Sequence, residues 1–291
     1  ATGGVLIVFG RDSVQGLYGT SAADFEMRSI SANSGARAYT VAEVNQPIFV
    51  NERGVTSLEA VQAFGDFAQS DLTRMIQPLF SSNYRPTCAT YNKASSQYRV
   101  WDDTGRGVRL TLRGSKVVGV TTTEFPDIPR VCATGETSTG DEVSVFGDDA
   151  GHVFQLDTGT SFDGGLIEST LVTAFHHCGS PSARKRFRRF YIESTGLEAT
   201  SFTMLPSFDY DDWQIARHLR QMGTLAAGGR FGINDWDEFA WDGPYQAETP
   251  VSLMGTGANI NFSFYHESDT AAPHSLMGYH LHFDPRRTRR G

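Results

Sequence analysis

The chain has 291 residues, with 33 acidic and 25 basic side chains and a formal net charge of −8, which argues against a general nucleic-acid binder. Aromatic residues make up 12%, and 30 glycines accompany few runs of helix-forming residues, so the composition predicts an all-β protein. Three widely spaced cysteines supply neither a disulfide framework nor a four-cysteine zinc site, and no apolar run approaches the ~20 residues of a membrane-spanning helix.

Four hairpin-like segments follow one another in the first half of the chain. They read VLIVFGRDSVQGLYG, IFVNERGVTSLEA, QYRVWDDTGRGVRLTL and VFGDDAGHVFQ, and their turns fall near Asp12, Arg53, Thr104 and Asp149. The spacings of 41, 51 and 45 residues lie in the range typical of propeller blades. The adjacent Asp148 and Asp149 do not fit the alternating ligands of an EF-hand loop, so the last segment is interpreted as a hairpin turn rather than a calcium site.

A second repeated marker supports this interpretation. The stretches RPTCAT (85–90) and PRVCAT (129–134) recur after 44 residues, each ahead of a hairpin. Their cysteines, Cys88 and Cys132, are interpreted as packed core residues. Residues 1–165 are therefore predicted to form β-propeller blades, with SDLTRMIQPLF as a short connector. Because the sequence starts without Met and almost inside a strand, the set of blades is expected to be incomplete at the N-terminus.

Residues 166–291 show a different pattern. Longer strand-like segments appear here, such as KRFRRFYIES, TSFTMLPSFDY and VSLMGTGANINFSFYHES, without the hairpin landmark. They predict a β-sandwich-like domain that ends in a basic C-terminal tail.

Motifs for catalysis are missing from the sequence. There is no G-x-S-x-G elbow, H-E-x-x-H or Walker loop, and SFDGG (161–165) matches the first part of the Asp-box turn of sialidase propellers. A glycosidase would need a separated carboxylate pair, for which the candidates are Asp209, Asp211, Asp235, Asp237 and Asp242. These carboxylates are interpreted as solvated side chains of turns. The sequence therefore predicts no catalytic residue and no cofactor.

The segment YHLHFD could present metal ligands, because His280, His282 and Asp284 share one face of a strand. A half-buried strand with a polar outer face gives the same alternation. The second interpretation is preferred, so no metal site is predicted.

Positive charge is concentrated in two places. Nine of the 25 basic residues lie in SARKRFRRFYIES and DPRRTRRG, with basic side chains expected on both faces of the first strand. One interpretation is that these basic side chains contact the phosphates of a nucleic acid. Contact with acidic surfaces of other subunits is preferred, since the rest of the chain is acidic. Together with two tryptophans of an aromatic-acidic segment, the predicted partner contacts are Arg184, Lys185, Arg186, Arg188, Arg189, Trp236, Trp241, Arg286, Arg287, Arg289 and Arg290.

Four segments together resemble the tail hub, nozzle or "packaged DNA stabilisation" (tail accessory) proteins of short-tailed bacteriophages. They are FVNERGVTSLEAVQAFGDF, FGDDAGHVFQLDTGTSFDGG, GSPSARKRFRRFYIES and the arginine-rich end. The resemblance implies a non-enzymatic homo-oligomeric ring, of six copies, that extends and closes the DNA channel below the portal and adaptor. It also implies contacts with the adaptor or portal and other tail proteins, transient contact with genomic DNA, assembly in the host cytoplasm and a final location in the virion. The alternative is a carbohydrate-binding or carbohydrate-active β-propeller protein.

Overall fold

A computed structural model describes residues 5–43, 46–64, 72–80, 83–114, 116–196, 200–211, 221–225, 247–270 and 273–286. These residues form antiparallel strands with two short helical segments, which confirms the all-β class. The chain divides into two compact units, Ala1–Thr158 and Gly159–Gly291, whereas the sequence pattern changes at residue 165. Among the described residues, no helix is long and apolar enough to cross a membrane.

The first unit consists of four consecutive antiparallel sheets, each made of strands that are neighbours in sequence. The first sheet contains β1 (Leu6–Phe9), β2 (Val14–Tyr18) and β3 (Glu26–Ser31). The second contains β4 (Ala42–Glu43), β5 (Pro47–Val50) and β6 (Val55–Ser57). The third contains β7 (Pro86–Asn92), β8 (Gln97–Asp102), β9 (Arg106–Arg113) and β10 (Lys116–Glu124), and the fourth β11 (Val131–Glu136), β12 (Glu142–Gly147) and β13 (Val153–Gln155).

The four predicted hairpins are confirmed, one in each sheet. Their turns connect β1 to β2, β5 to β6, β8 to β9 and β12 to β13. In the last of them, the Asp148 carboxylate accepts hydrogen bonds from the backbone N of His152 at 2.8 Å and pairs with its ring Nδ1 at 3.0 Å. Gly151 takes the positive φ of 89° that closes the turn. The aspartate and glycine therefore shape a hairpin, as their spacing indicates.

Successive sheets of the first unit are stacked face to face, in chain order. Phe9 of the first sheet contacts Phe49 of the second, with ring centroids 5.0 Å apart. Tyr98 of the third sheet packs in one apolar cluster with the second sheet and donates its hydroxyl to the Thr40 carbonyl at 2.6 Å. Phe125, which follows β10, stacks on Phe146 of the fourth sheet at 5.3 Å. We call this arrangement of four sheets the stack.

The repeated marker lies where the third and fourth sheets meet. The hydroxyls of Thr90 and Thr134, 44 residues apart and at matching repeat positions, are 2.6 Å from each other. Cys88 is buried and Cys132 half-buried, and both are free thiols. A hydrogen bond between them lowers the pKa of Cys88 and raises the pKa of Cys132. Equivalent residues of two repeats thus touch each other, as they do when identical units are stacked.

The stack is not closed into a ring within the described residues. Its sheets are small and separate, and the outer faces of the first and fourth sheets are exposed to solvent. The circular arrangement that defines a propeller is therefore not part of the observed fold.

The second sheet leads into a helix that the sequence pattern did not predict. Strand β6 ends at Ser57, and α1 (Leu58–Phe64) follows where a continuing strand was expected. The Ser57 hydroxyl accepts a hydrogen bond from the backbone N of Ala60 at 3.3 Å, and Glu59 lies in the first turn. Both features favour a helix start. The predicted connector is a 3₁₀ segment, Arg74–Phe80, that is kinked at Ile76 and contains Pro78.

The second unit consists of two antiparallel sheets that share one core. One sheet has the order β14-β19-β16-β17 and the other β18-β15-β20. Their ranges are β14 (Ile167–Val172), β15 (Lys185–Gly196), β16 (Thr200–Phe208), β17 (Gln221–Leu225), β18 (Ala247–Gly257), β19 (Ile260–Ser268) and β20 (His274–Pro285). Phe190 of one sheet and Phe262 of the other have ring centroids 4.3 Å apart, and both are fully buried. Two sheets packed through one aromatic core form the sandwich-like domain that the long strands predict.

In the first unit, ion pairs join the third sheet to the segment that follows the fourth sheet. Arg99 of β8 and Arg109 of β9 are directly opposite each other, which would be repulsive without a counter-charge. Asp157 supplies it, with carboxylate oxygens 2.5 Å from Arg99 Nη2 and 3.5 Å from Arg109 Nη2. Burial, together with the charge of Arg99, lowers the pKa of Arg109. The Arg99 side chain is 2% exposed and that of Asp157 46%, so removal of the carboxylate leaves a buried cation next to another cation.

We expect Asp157→Asn to lower the free energy of unfolding by about 2 kcal/mol, less than a fully buried pair would give because Asp157 is half exposed. Chemical denaturation followed by tryptophan fluorescence measures the change. Asp12→Asn, in the exposed turn of the first hairpin, is the matched control and should change the value by less than about 0.5 kcal/mol. Equal stability of the two variants would contradict this role of Asp157.

Candidate partner-contact site

The basic segment of the second unit forms strand β15, and a β-bulge decides where its side chains point. The pairing register shifts between Phe187 and Arg189 on both sides of the strand. One extra residue at this point lets Phe187 and Phe190, three positions apart, both face the core. Arg188 and Arg189 consequently lie together on the outer face. The expectation of basic side chains on both faces is thus wrong for the arginines.

Lys185 is the exception, and its predicted role as a partner contact is wrong. Its side chain is 2% exposed. Its ammonium donates hydrogen bonds to the carbonyls of Ala183 and Ala258, both at 2.9 Å, and to that of Ser180. These three carbonyls satisfy the three donors of the ammonium, which makes burial of the charge tolerable. Lys185 therefore fastens the start of β15 to the loop after β18.

Two of the outward arginines are paired within the unit. Arg184 Nη2 is 2.9 Å from the carboxylate of Asp209 and 3.1 Å from the carbonyl of Thr256. Arg188 Nε is 2.5 Å from the carboxylate of Asp284 on the neighbouring strand β20. Both pairs are exposed, so each contributes little stability and mainly orients the side chains.

Three arginines on the same side of this sheet have no carboxylate within ion-pair distance among the described residues: Arg186, Arg189 and Arg286. Arg286 follows β20, and its backbone N donates to the Arg184 carbonyl at 2.8 Å, which keeps it beside the start of β15. Arg189 Nη1 lies 3.5 Å from the Tyr191 hydroxyl, and none of the three is paired with a carboxylate, so we call these three residues the free arginines. An open depression of about 630 Å³ is lined by all three together with Met254 and Thr256.

The free arginines are chemically suited to an anionic partner. Guanidinium groups are always charged and bind carboxylates or phosphates through parallel hydrogen bonds. Arg186 and Arg189 project from strand β15, whose opposite face is anchored in the aromatic core, and Arg286 is held beside it by its backbone hydrogen bond, so the positions of their backbone atoms are fixed before a partner binds. The arrangement offers binding and orientation of an anionic group.

The histidines of β20 lie as the alternation predicts, with His280, His282 and Asp284 on the exposed face and the apolar residues between them packed on the core. They do not converge on one point. His280 Nε2 is 2.5 Å from the carboxylate of Glu193, the ring of His282 lies against Tyr191, and Asp284 is held by Arg188. Within the described ranges, no group of three His, Cys, Asp or Glu side chains could hold a metal ion.

Several predicted site residues lie outside the described residues, namely Trp236, Trp241, Arg287, Arg289 and Arg290, as do the glycosidase candidates Asp235, Asp237 and Asp242. Of the remaining candidates, Asp209 is bound to Arg184 and to the backbone N of Ala258 at 2.7 Å. The predicted Asp-box segment forms a turn in which Gly164 N donates to the Ser161 hydroxyl at 3.1 Å.

Sequence reasoning did not identify Asp209 and Asp284 as partners of the arginines. The spacing of Phe187 and Phe190 in the sequence indicates the bulge, since apolar residues three positions apart in a strand cannot both face the core without one. Comparison with protein-family models and with curated proteins gave no match. The chemistry of this site is consequently argued from the chain's own residues.

We expect Lys185→Met to lower the free energy of unfolding by about 1–3 kcal/mol, because three partly buried carbonyls lose their donor. The neighbouring variant Arg186→Met should change it by no more than about 0.5 kcal/mol, since that side chain is exposed. Denaturant titration of both variants measures the difference. A Lys185→Met protein as stable as the wild type would show that the carbonyls do not need the ammonium.

Proposed function

We propose that the chain is a structural, non-enzymatic subunit of a short-tailed bacteriophage tail, in the hub or nozzle ring below the portal and adaptor. In this role it extends and closes the DNA channel, is assembled in the host cytoplasm and ends in the virion. The observation that carries the proposal is the set of free arginines, Arg186, Arg189 and Arg286, on a rigid sheet of an otherwise acidic chain.

Charge segregation of this kind suits a ring. In a heterologous interface, a basic surface on one subunit meets an acidic surface on the next until the rotation closes. Without the nine clustered basic residues, the chain has 33 acidic side chains against 16 basic ones, so each copy supplies carboxylates in excess. Complementary charge at such an interface fixes register and partner choice.

Protein partners are favoured over DNA for the free arginines. A channel wall rich in arginine would hold phosphates tightly through counterion release and hinder the movement of DNA. We therefore assign the arginines to contacts with other copies or with the adaptor, portal and other tail proteins, and we expect contact with genomic DNA to be transient.

We further propose that the four sheets of the first unit are blades of a β-propeller. Three features support this: each sheet is a meander of sequence neighbours, its period is near that of a blade, and Thr90 and Thr134 meet at equivalent positions. Blades packed in this way give a ring subunit a stiff body, because each inner blade is held on both faces.

A carbohydrate-binding role remains the second candidate, and one feature favours it. An open groove of about 530 Å³ runs along β4, β7 and β11, the first strands of three sheets, and is lined by Tyr91, Thr90 and Glu136 among others. Its Glu142 carboxylate already accepts hydrogen bonds from the backbone N of Lys93 and of Ala94, at 2.8 and 2.7 Å. Glycan binding by a monomer, measured by calorimetry, would favour this candidate over the ring subunit.

The ring proposal predicts that Arg186→Glu combined with Arg189→Glu weakens self-association or adaptor binding at least about tenfold, and that salt weakens the wild-type contact. Light scattering across a salt series measures both effects. Arg113→Glu, an exposed strand arginine of the first unit, is the matched control and should leave association unchanged. Unchanged assembly with loss of duplex-DNA binding in the double variant would place these arginines toward DNA and overturn the assignment.

A further inference from the structure

The outer face of the fourth sheet is apolar, and its residues Val131, Ala133, Val153 and Gln155 are exposed. Cross-strand pairs place Val131 beside Gly147 and Val153, Ala133 beside Val145, and Gly135 beside Val143 on one face. The opposite face carries Phe146, which stacks on Phe125 after the third sheet, and Phe154, which stacks on Phe146. The face away from the stack, which we call the valine face, consists of Val131, Ala133, Gly135, Val143, Val145, Gly147, Val153 and Gln155.

The valine face is unusual for a solvent-exposed surface. It contains no charged residue, although 20% of the chain is charged. Val153 is 73% exposed. Its members are small, and its two glycines keep it shallow. Exposed apolar surfaces without charge mark sites of protein association, since an uncovered sheet face otherwise carries polar residues.

The outer face of the first sheet is the counterpart at the other end of the stack. Leu6, Leu17 and Met27 form one row across β1, β2 and β3, and Met27 is 50% exposed. Side chains of the opposite face, such as Phe9, pack toward the second sheet. The face away from the stack, which we call the leucine–methionine face, consists of Leu6, Val8, Gln15, Leu17, Met27 and Ser29.

We propose that the leucine–methionine face of one copy docks on the valine face of a second copy, so that copies associate head to tail through the ends of their stacks. The row of Leu6, Leu17 and Met27 on one face and the Val, Ala and Gly residues on the other are complementary in size, as facing layers of a packed core are. Pairing of like faces would set small residues against small ones, or bulky ones against bulky ones. The absence of charge on both faces also avoids any cost of burying unpaired ions.

The contact repeats the geometry inside the stack, where each inner sheet is covered on both faces by its neighbours. Because the two docking faces differ, the interface is heterologous and leads to a closed ring or a chain of copies. The inference rests on the first unit and does not depend on the tail proposal, which rests on the arginines of the second.

The test uses two exposed substitutions, Met27→Glu and Val153→Lys, each of which blocks one face. Sedimentation at about 0.5 M NaCl suppresses ion-pair contacts, so a failure of the arginine contacts does not affect the result. We expect the wild type to form species larger than dimers at about 100 μM and each variant alone to be monomeric. An equimolar mixture should give one-to-one dimers, because each variant keeps one intact face.

The matched controls are Met75→Glu and Val118→Lys, exposed residues of the same types that lie on neither docking face. They should associate as the wild type does, and circular dichroism should show all four variants folded. A monomeric wild type, or variants that assemble normally, would overturn the proposal. Dimers of either variant alone would show that like faces pair, which would also overturn it.

Discussion

The structure of the first unit depends on one constraint: a three- or four-stranded sheet cannot stay folded with both faces in water. Each small sheet has too little apolar surface to hold itself, so it must be covered by its neighbours. The two inner sheets of the stack satisfy this on both faces, and Phe49, Tyr98 and Val100 are accordingly fully buried. The thiol and hydroxyl contacts and the Asp157 ion pairs lie where one sheet covers the next. The apolar outer faces are the two faces that no neighbouring sheet of the stack covers.

The second unit meets the same constraint with two sheets and one shared core. Each sheet then needs cover on one face, and the other face is available for polar and charged residues. The bulge in β15 uses this freedom, because it sends Arg188 and Arg189 outward together while Phe187 and Phe190 stay in the core. A rigid surface for partners results from the same packing that stabilises the unit.

The sequence was sufficient for the elements whose chemistry is local. Polar residues and Gly at the turns located all four hairpins, and the 44-residue repeat identified residues that do meet in space. Features that depend on distant residues were missed. Lys185 looks like its exposed neighbours in the sequence, and its burial depends on carbonyls such as that of Ala258, 73 positions away. The alternation of apolar and polar residues likewise assigns side chains to the two faces of each sheet. Which of the two faces is covered depends on the neighbouring sheet.

Equivalent residues of two repeats hold the third and fourth sheets together, and a double-mutant cycle on Thr90→Val and Thr134→Val tests this most directly. Because the two hydroxyls are 2.6 Å apart, the account predicts a coupling energy of about 0.5–1 kcal/mol in the free energy of unfolding. The pair Thr90→Val and Thr121→Val, on the two opposite edge strands of the third sheet, should be additive. Additive effects for Thr90 and Thr134 as well would contradict the stacked-repeat account.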